Sequence, residues 1–241
     1  CGEWPFNKAW VREEKEVVFC ESGYNIRRGF VSSSPDKQIF TIDFSGVELR
    51  MVANISSEPK WIDEFLNGEG DLHVVTAMDI FGIEDRRKVI KKQRGLGKTV
   101  NFGSLYGGGP GTLVRTVNKD SKKDDHITKE FAKSVLENFW SGIPIVDKWR
   151  HKVWQIARTT GVATTHLGRV RPIPEALVRV SKDSTDEERR DANWLNAKGD
   201  RNSANHVVQG SSADLMKLAM LRCSRRIKRN KWEDKVKILL T

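Results

Sequence analysis

The stretch Arg94-Gly-Leu-Gly-Lys98-Thr-Val-Asn-Phe102-Gly-Ser-Leu-Tyr106-Gly107 carries two cations, a phenyl ring and a phenol at every fourth residue. On a helix each such step turns about 40° past a full revolution, so all four side chains share one face. A face that runs cation, cation, ring, ring can meet a triphosphate at one end and a base at the other, and it is read as a nucleotide-binding surface. A surface helix with a solvated basic stripe is the plainer alternative. Two details oppose it. Gly95, Gly97 and Gly103 each cost a helix interior about 0.8–1 kcal/mol relative to Ala, so something other than helix propensity fixes them. From Arg86 to Lys98, seven basic residues stand with no acid among them. Gly97-Lys98-Thr99 looks like the end of a P-loop, but that motif needs Gly where Lys92 stands and a buried strand before it, whereas residues 86–94 are highly charged.

A second signal lies upstream, in Gln38-Ile-Phe-Thr-Ile-Asp43-Phe-Ser-Gly-Val-Glu48-Leu-Arg. Residues 39–42 are short, apolar and β-branched, which predicts a strand with Asp43 at its end. A carboxylate there can hold a divalent metal in a fixed place. Equally, Asp43 can serve as the N-cap of a helix beginning near Val47.

Together the two segments resemble motifs A and B of family A DNA polymerases. Asp43-Phe-Ser-Gly-Val-Glu48-Leu-Arg is similar to the family's D-Y-S-x-I-E-L-R, and Arg94-x-x-x-Lys98-x-x-x-Phe102-x-x-x-Tyr106-Gly107 to its fingers helix. Gly70-Asp-Leu-His73 resembles its D-I-H segment, and Gly168-Arg-Val-Arg-Pro-Ile-Pro-Glu175 its G-R-R-R-x-x-P-E. Arg201-x-x-x-Asn205-x-x-x-Gln209-Gly-Ser-Ser-Ala-Asp214-Leu-Met-Lys217 resembles its R-x-x-x-N-x-x-x-Q-G-T-A-A-D-x-x-K. These matches run in order from about Ile26 to Thr241.

The resemblance implies an α+β, right-hand polymerase architecture: a partial palm with an antiparallel sheet, plus mostly helical fingers. Residues 23–50 and 196–241 would form the palm and 51–195 the fingers, with the nucleotide-binding helix at 86–106; residues 1–22 stay unassigned. It also implies DNA-templated DNA synthesis on a primer-template with dNTPs and two Mg²⁺ ions. Asp43 and the Phe44 carbonyl would hold metal, while Arg94 and Lys98 would neutralise the triphosphate, Lys98 with a catalytic share. His73 either joins them or is merely structural. Glu48 would act as the steric gate against a ribose 2′-hydroxyl, Phe102 would stack on the incoming nucleotide, and Tyr106 would pack near the templating base. Arg201, Asn205 and Gln209, at four-residue spacing, would read minor-groove acceptors shared by both kinds of base pair. Asp214 is not expected to ligate metal. The family's motif C, with its second metal-binding aspartate, would follow a strand like residues 236–241. The chain is therefore expected to be a fragment, with a complementary polypeptide carrying motif C as a possible partner.

Composition agrees. Lys and Arg number 42 against 32 acids, a formal charge of +10 that favours a polyanionic partner. Cys1, Cys20 and Cys223 have no metal-ligand spacing and suit a reducing compartment. No apolar run has the length of a membrane span, and the expected location is the cytoplasm of a bacterial or phage-infected cell, with an organelle left open. Helices are predicted over 128–139, 144–159 and about 203–228, a hairpin about Gly168, charged loops at 119–125 and, with mobility, at 182–200, and a final strand at 236–241. Trp140, Trp149 and Trp154 are read as core rather than as base-stacking platforms. Two other readings stay open: a single-subunit RNA polymerase relative, against which Glu48 and Phe102 speak, and a catalytically silent primer-template DNA-binding fragment.

Overall fold

Caps written into the sequence divide the chain into helices. The computed structural model describes residues 31–32, 34–119 and 126–238. It separates into an N-terminal unit, Cys1–Ser45, and a larger unit, Gly46–Thr241. In the first, Lys37 N–H donates to the Ser34 carbonyl at 3.1 Å in a turn. The strand predicted at residues 39–42 is absent: this segment is irregular, with Phe40 72% and Ile42 89% exposed. β-Branched composition favours a strand only where a neighbour pairs with it, and no described residue does. Residues 1–22 and 120–125 lie outside the described residues.

The larger unit begins with α1 (Val47–Ser56), α2 (Pro59–Leu66) and α3 (Leu72–Phe81). Gly46, in the left-handed region at φ 59°, is the N-cap of α1, and no side chain caps that helix. Asp43 is therefore not its cap. Asp71 caps α3, accepting from the His73 and Val74 amides at 3.1 and 3.3 Å. After a 3₁₀ turn at Arg86–Lys88 come α4 (Lys91–Leu105) and α5 (Pro110–Lys119). Then follow α6 (Lys129–Gly142), capped by Thr128, and α7 (Pro144–Thr160), which opens on Pro144 and stops at Gly161. The expected hairpin is present: β1 (Val162–Thr164) pairs antiparallel with β2 (Val170–Pro172).

Next stands α8 (Asp186–Asn205), where a mobile segment was expected at residues 182–200. Its start is a capping box: the Glu188 amide donates to Thr185 Oγ1 at 3.2 Å, and the Thr185 amide to Glu188 Oε2 at 2.7 Å. A π-helical turn, His206–Gly210, joins it to α9 (Ser211–Arg229), so the helix expected at 203–228 is the end of one longer helical run. Residues 236–238 form no strand; Val236 N–H closes a turn on the Trp232 carbonyl at 2.8 Å, and 239–241 lie outside the described residues.

One core gathers Val52, Trp61, Leu72, Val100, Phe139 and Val146, among others, from α1 to α7, together with Val208 of the π-helical turn. A smaller one joins Ala157, Ala163, Ile173, Ala176 and Val207, and Trp149 packs on both. Trp140 is partly buried and packs on the first core. Trp140 and Trp154 sandwich the Arg150 guanidinium at 3.7 and 4.5 Å. Among the described residues, no helix is long and apolar enough to cross a membrane. The architecture is mostly helical with one two-stranded antiparallel sheet, the α+β class expected.

Candidate nucleotide-binding site

The site is built on α4. Residues 86–106 are not one helix, because Val89 and Ile90 are extended between the 3₁₀ turn and α4. The Asp85 carboxylate caps that turn, and the Gln93 side-chain oxygen Oε1 accepts from the Ile90 amide at 3.0 Å, giving each piece its own start. The stripe survives. Arg94 and Lys98 are exposed, Phe102 is half-buried on the helix, and Tyr106 stands one residue past its end. The reverse side, with Gly97, Val100, Asn101, Ser104 and Leu105, is buried. Gly97 lies against α3, where a Cβ would collide with the His73 carbonyl oxygen and come within 3.2 Å of the Ala77 nitrogen. Two helix backbones meet here, and only glycine lets them. Cβ positions at Gly95 and Gly103 face open space, so packing does not explain those two.

At the N-terminal end of α4, Arg94 Nε donates to Asp71 Oδ2 at 2.7 Å. Burial alone would raise the Asp71 carboxyl, but Arg94 and the amides of Val74 and His73 outweigh it and hold the pKa below the usual range. Lys98 makes no ion pair among the described residues. The His73 ring lies 5.7 Å from the Phe102 ring, and its Nδ1 stands 3.0 Å from Asn101 Nδ2. Burial lowers the His73 pKa; Asp71 opposes that, and Arg94 and Lys98 add to it. The basic run is partly answered through space: Arg86 grips Glu64 with bonds of 2.7 and 3.0 Å, and Arg87 pairs with Asp85 at 3.0 Å. Glu64 Oε1 also accepts from the Asp71 amide at 2.9 Å, tying the α3 cap to the same network.

At the other end, the Tyr106 hydroxyl donates to the Glu48 carboxylate on α1. Burial, then this bond, push the phenol pKa well above its ordinary value; a bond with the Gln209 side chain acts the other way. Gly107, at φ 79°, turns the chain out of α4, and a Cβ there would strike the Arg201 side chain. Glu48, Tyr106, Arg201 and Gln209 are thus gathered at one place. Asn205 begins the approach to the π-helical turn, and its Oδ1 is buried without a partner among the described residues. Between α4 and α5 lies a largely apolar cavity of about 270 Å³, with Lys98, Phe102 and Gly103 on its wall.

Asp43 and Phe44 belong to the N-terminal unit, and both are exposed. Among the described residues, no three His, Cys, Asp or Glu side chains cluster as a metal site. A carboxylate and a neighbouring carbonyl are nonetheless the hard oxygen donors that Mg²⁺ takes, usually together with phosphate oxygens and water. Asp214 is engaged elsewhere, accepting from Thr165 Oγ1 at 2.7 Å and Arg169 Nε at 2.9 Å. Asp71, Asn101 and Glu64 carry this geometry; in the sequence, Asp71 stands only within the D-I-H resemblance, with no role assigned, and the other two are not singled out. Asp71 had a local signal, as an acid opening a helix; the other two act across 22 to 28 residues of chain.

The family model for DNA polymerase family A matches residues 15–241, and the chain belongs to that family. It is 32% identical over 216 residues to DNA polymerase I of Geobacillus stearothermophilus, covering 90% of this chain and 22% of that protein. Against DNA polymerase I of Lactococcus lactis subsp. cremoris (strain MG1363) the identity is 32% over 225 residues, with coverages of 92% and 23%. A similar solved structure is the POL domain of Pol1 from M. smegmatis in complex with DNA primer-template and dNTP: TM-score 0.64, 28% identity, 78% of this chain and 30% of that one. The chain spans less than a quarter of the length of these curated relatives.

Proposed function

We propose that the chain serves DNA-templated DNA synthesis, adding deoxynucleotides to a primer 3′-hydroxyl, with α4 as the surface that receives the dNTP. The observation that carries this is the stripe Arg94, Lys98 and Phe102 on one face of α4, with Tyr106 just past its end, above the close contact of Gly97 with α3. Arg94, steadied by Asp71, and Lys98 neutralise the triphosphate and meet the charge that passes to pyrophosphate, and Lys98 would give that leaving group a proton. Phe102 offers its ring to the incoming nucleotide. Glu48, with its carboxylate oriented by Tyr106, excludes a 2′-hydroxyl, and Arg201, Asn205 and Gln209 contact the minor groove of the primer terminus. Asp43 and the Phe44 carbonyl would hold Mg²⁺, which when bound in a pair stabilises the attacking and leaving oxygens. Residues 23–50 and 196–241 correspond on this reading to the palm, and 51–195 to the fingers.

The test is equilibrium binding of a dNTP to the chain on a primer-template. The expected result is binding that depends on the templating base and drops about tenfold in Lys98→Ala, the loss of one charged hydrogen bond. Binding indifferent to template and to Lys98 would leave the chain a general DNA-binding module.

A further inference from the structure

We infer that Asn101 is a positioning residue that fixes His73 as the neutral Nε2–H tautomer, so that the imidazole offers a single N–H donor beside Arg94 and Lys98. The donor's role toward triphosphate rests on the functional reading above; the tautomer does not.

Asn101 is fully buried, so each of its polar atoms needs a partner. Its Oδ1 accepts from the Thr76 hydroxyl at 2.8 Å. Its Nδ2 donates to the Leu72 carbonyl at 3.2 Å and faces His73 Nδ1 at 3.0 Å. The Leu72 oxygen has no proton to give, so an amide turned the other way would set oxygen against oxygen. The orientation is therefore decided by chemistry, and both Nδ2 hydrogens are spoken for. A nitrogen that receives an amide N–H must bring a lone pair. His73 Nδ1 is thus unprotonated, and the ring proton sits on Nε2, which has no hydrogen-bond partner among the described residues.

Charging the ring would require a second proton on Nδ1, pointed at an N–H in a buried place. The groups that face the ring act in the same sense overall. Burial, Arg94 and Lys98 oppose the imidazolium, Asp71 favours it, and the balance keeps the pKa below its ordinary 6.5. Phe102, 5.7 Å away, adds no charge. His73 is therefore a directional donor, uncharged at and above neutral pH, beside Arg94 and Lys98. Its contribution does not switch off as pH rises through neutrality, as that of a protonated histidine would.

Long-range ¹H–¹⁵N spectra of the histidine-labelled full chain separate the two neutral tautomers and the imidazolium. The expected result is Nε2–H for His73 at neutral pH, a titration midpoint below the ordinary 6.5, and in Asn101→Asp a move of the proton to Nδ1 with the midpoint raised above that of the wild type. His73 found as Nδ1–H or as imidazolium at neutral pH overturns the assignment, and wild-type protein suffices to show it. A tautomer unchanged in a folded Asn101→Asp chain overturns the positioning role. Inorganic tripolyphosphate is then added. Bound tripolyphosphate should shift the His73 Nε2 signal, and binding that leaves it unmoved overturns the donor role. If nothing binds, it is the functional reading that fails, while the tautomer result stands by itself.

Discussion

Gly97 has no side chain, yet it sets the position of the residues that have one. Replacing it with Ala drives a methyl group into the α3 backbone at His73 and Ala77, and destabilisation of about 1–3 kcal/mol is expected in chemical denaturation. The control is internal. Gly95→Ala and Gly103→Ala meet open space and should leave stability unchanged or raise it by up to about 1 kcal/mol, so equal losses at all three positions would defeat the seam argument. Asp71→Asn, which removes the charge facing Arg94, should weaken triphosphate binding by a few fold while costing about 1 kcal/mol or less at the α3 cap, read by titration and by melting. The stripe itself was legible because helical periodicity is a property of neighbouring positions. What seats it was not. Asn101 with His73, and Glu64 with Arg86, are pairs made through space by the packing of α3, α4 and the segments around them, and nothing in their local sequence announces the partner.

At the scale of elements, the β1–β2 hairpin is fastened to the head of α9. Arg169 and Thr165 share the Asp214 carboxylate, Arg169 Nη2 donates to the Gly210 carbonyl at 2.8 Å, and the His166 amide donates to Ser211 Oγ at 2.8 Å. A Cβ on Gly210 would stand 2.7 Å from Thr165 Cγ2, so the contact leaves no slack. Asp214→Ala should release the hairpin, seen as faster amide exchange at residues 162–172 with little change in α6; unaltered exchange would mean the carboxylate is not what holds it. The Glu64–Arg86 pair gives a pH signature. The Arg86 bond, against burial, holds the Glu64 carboxyl below its ordinary 4.5, so its stabilisation is complete above that value and is lost as pH falls through the lower, folded value. Acid unfolding of the wild type should therefore begin from a higher plateau than that of Glu64→Gln, and the two curves should converge below pH 4.5. Helix starts were legible where the signal is local, as at Thr128 and Pro144, whereas charge density concealed the Thr185–Glu188 capping box. The strand expected at residues 39–42 and the described part, 236–238, of that expected at 236–241 are absent, because a strand is defined by a neighbour the segment does not contain.

For the whole molecule, the excess of 10 positive charges argues for binding governed by phosphate contacts. Affinity for a primer-template should fall steeply and linearly on a log–log plot as salt rises from about 50 to 200 mM, by a factor of about 10³ if six phosphates are engaged. A flat response would exclude a counterion-releasing interface. Family membership extends over almost the entire chain, residues 15–241, whereas the residues that shape the site are few and lie on α1, α3, α4 and the α8–α9 run. That imbalance bears on how such a protein can change. A helix whose backbone closes on α3 at Gly97 passes a disturbance there to Arg94, Lys98 and Phe102 together. In a library of random variants selected on the proposed nucleotide binding, position 97 would score alongside those three residues although it has no side chain to offer. Drift there would be corrected, if at all, by second-site changes in α3 rather than in α4.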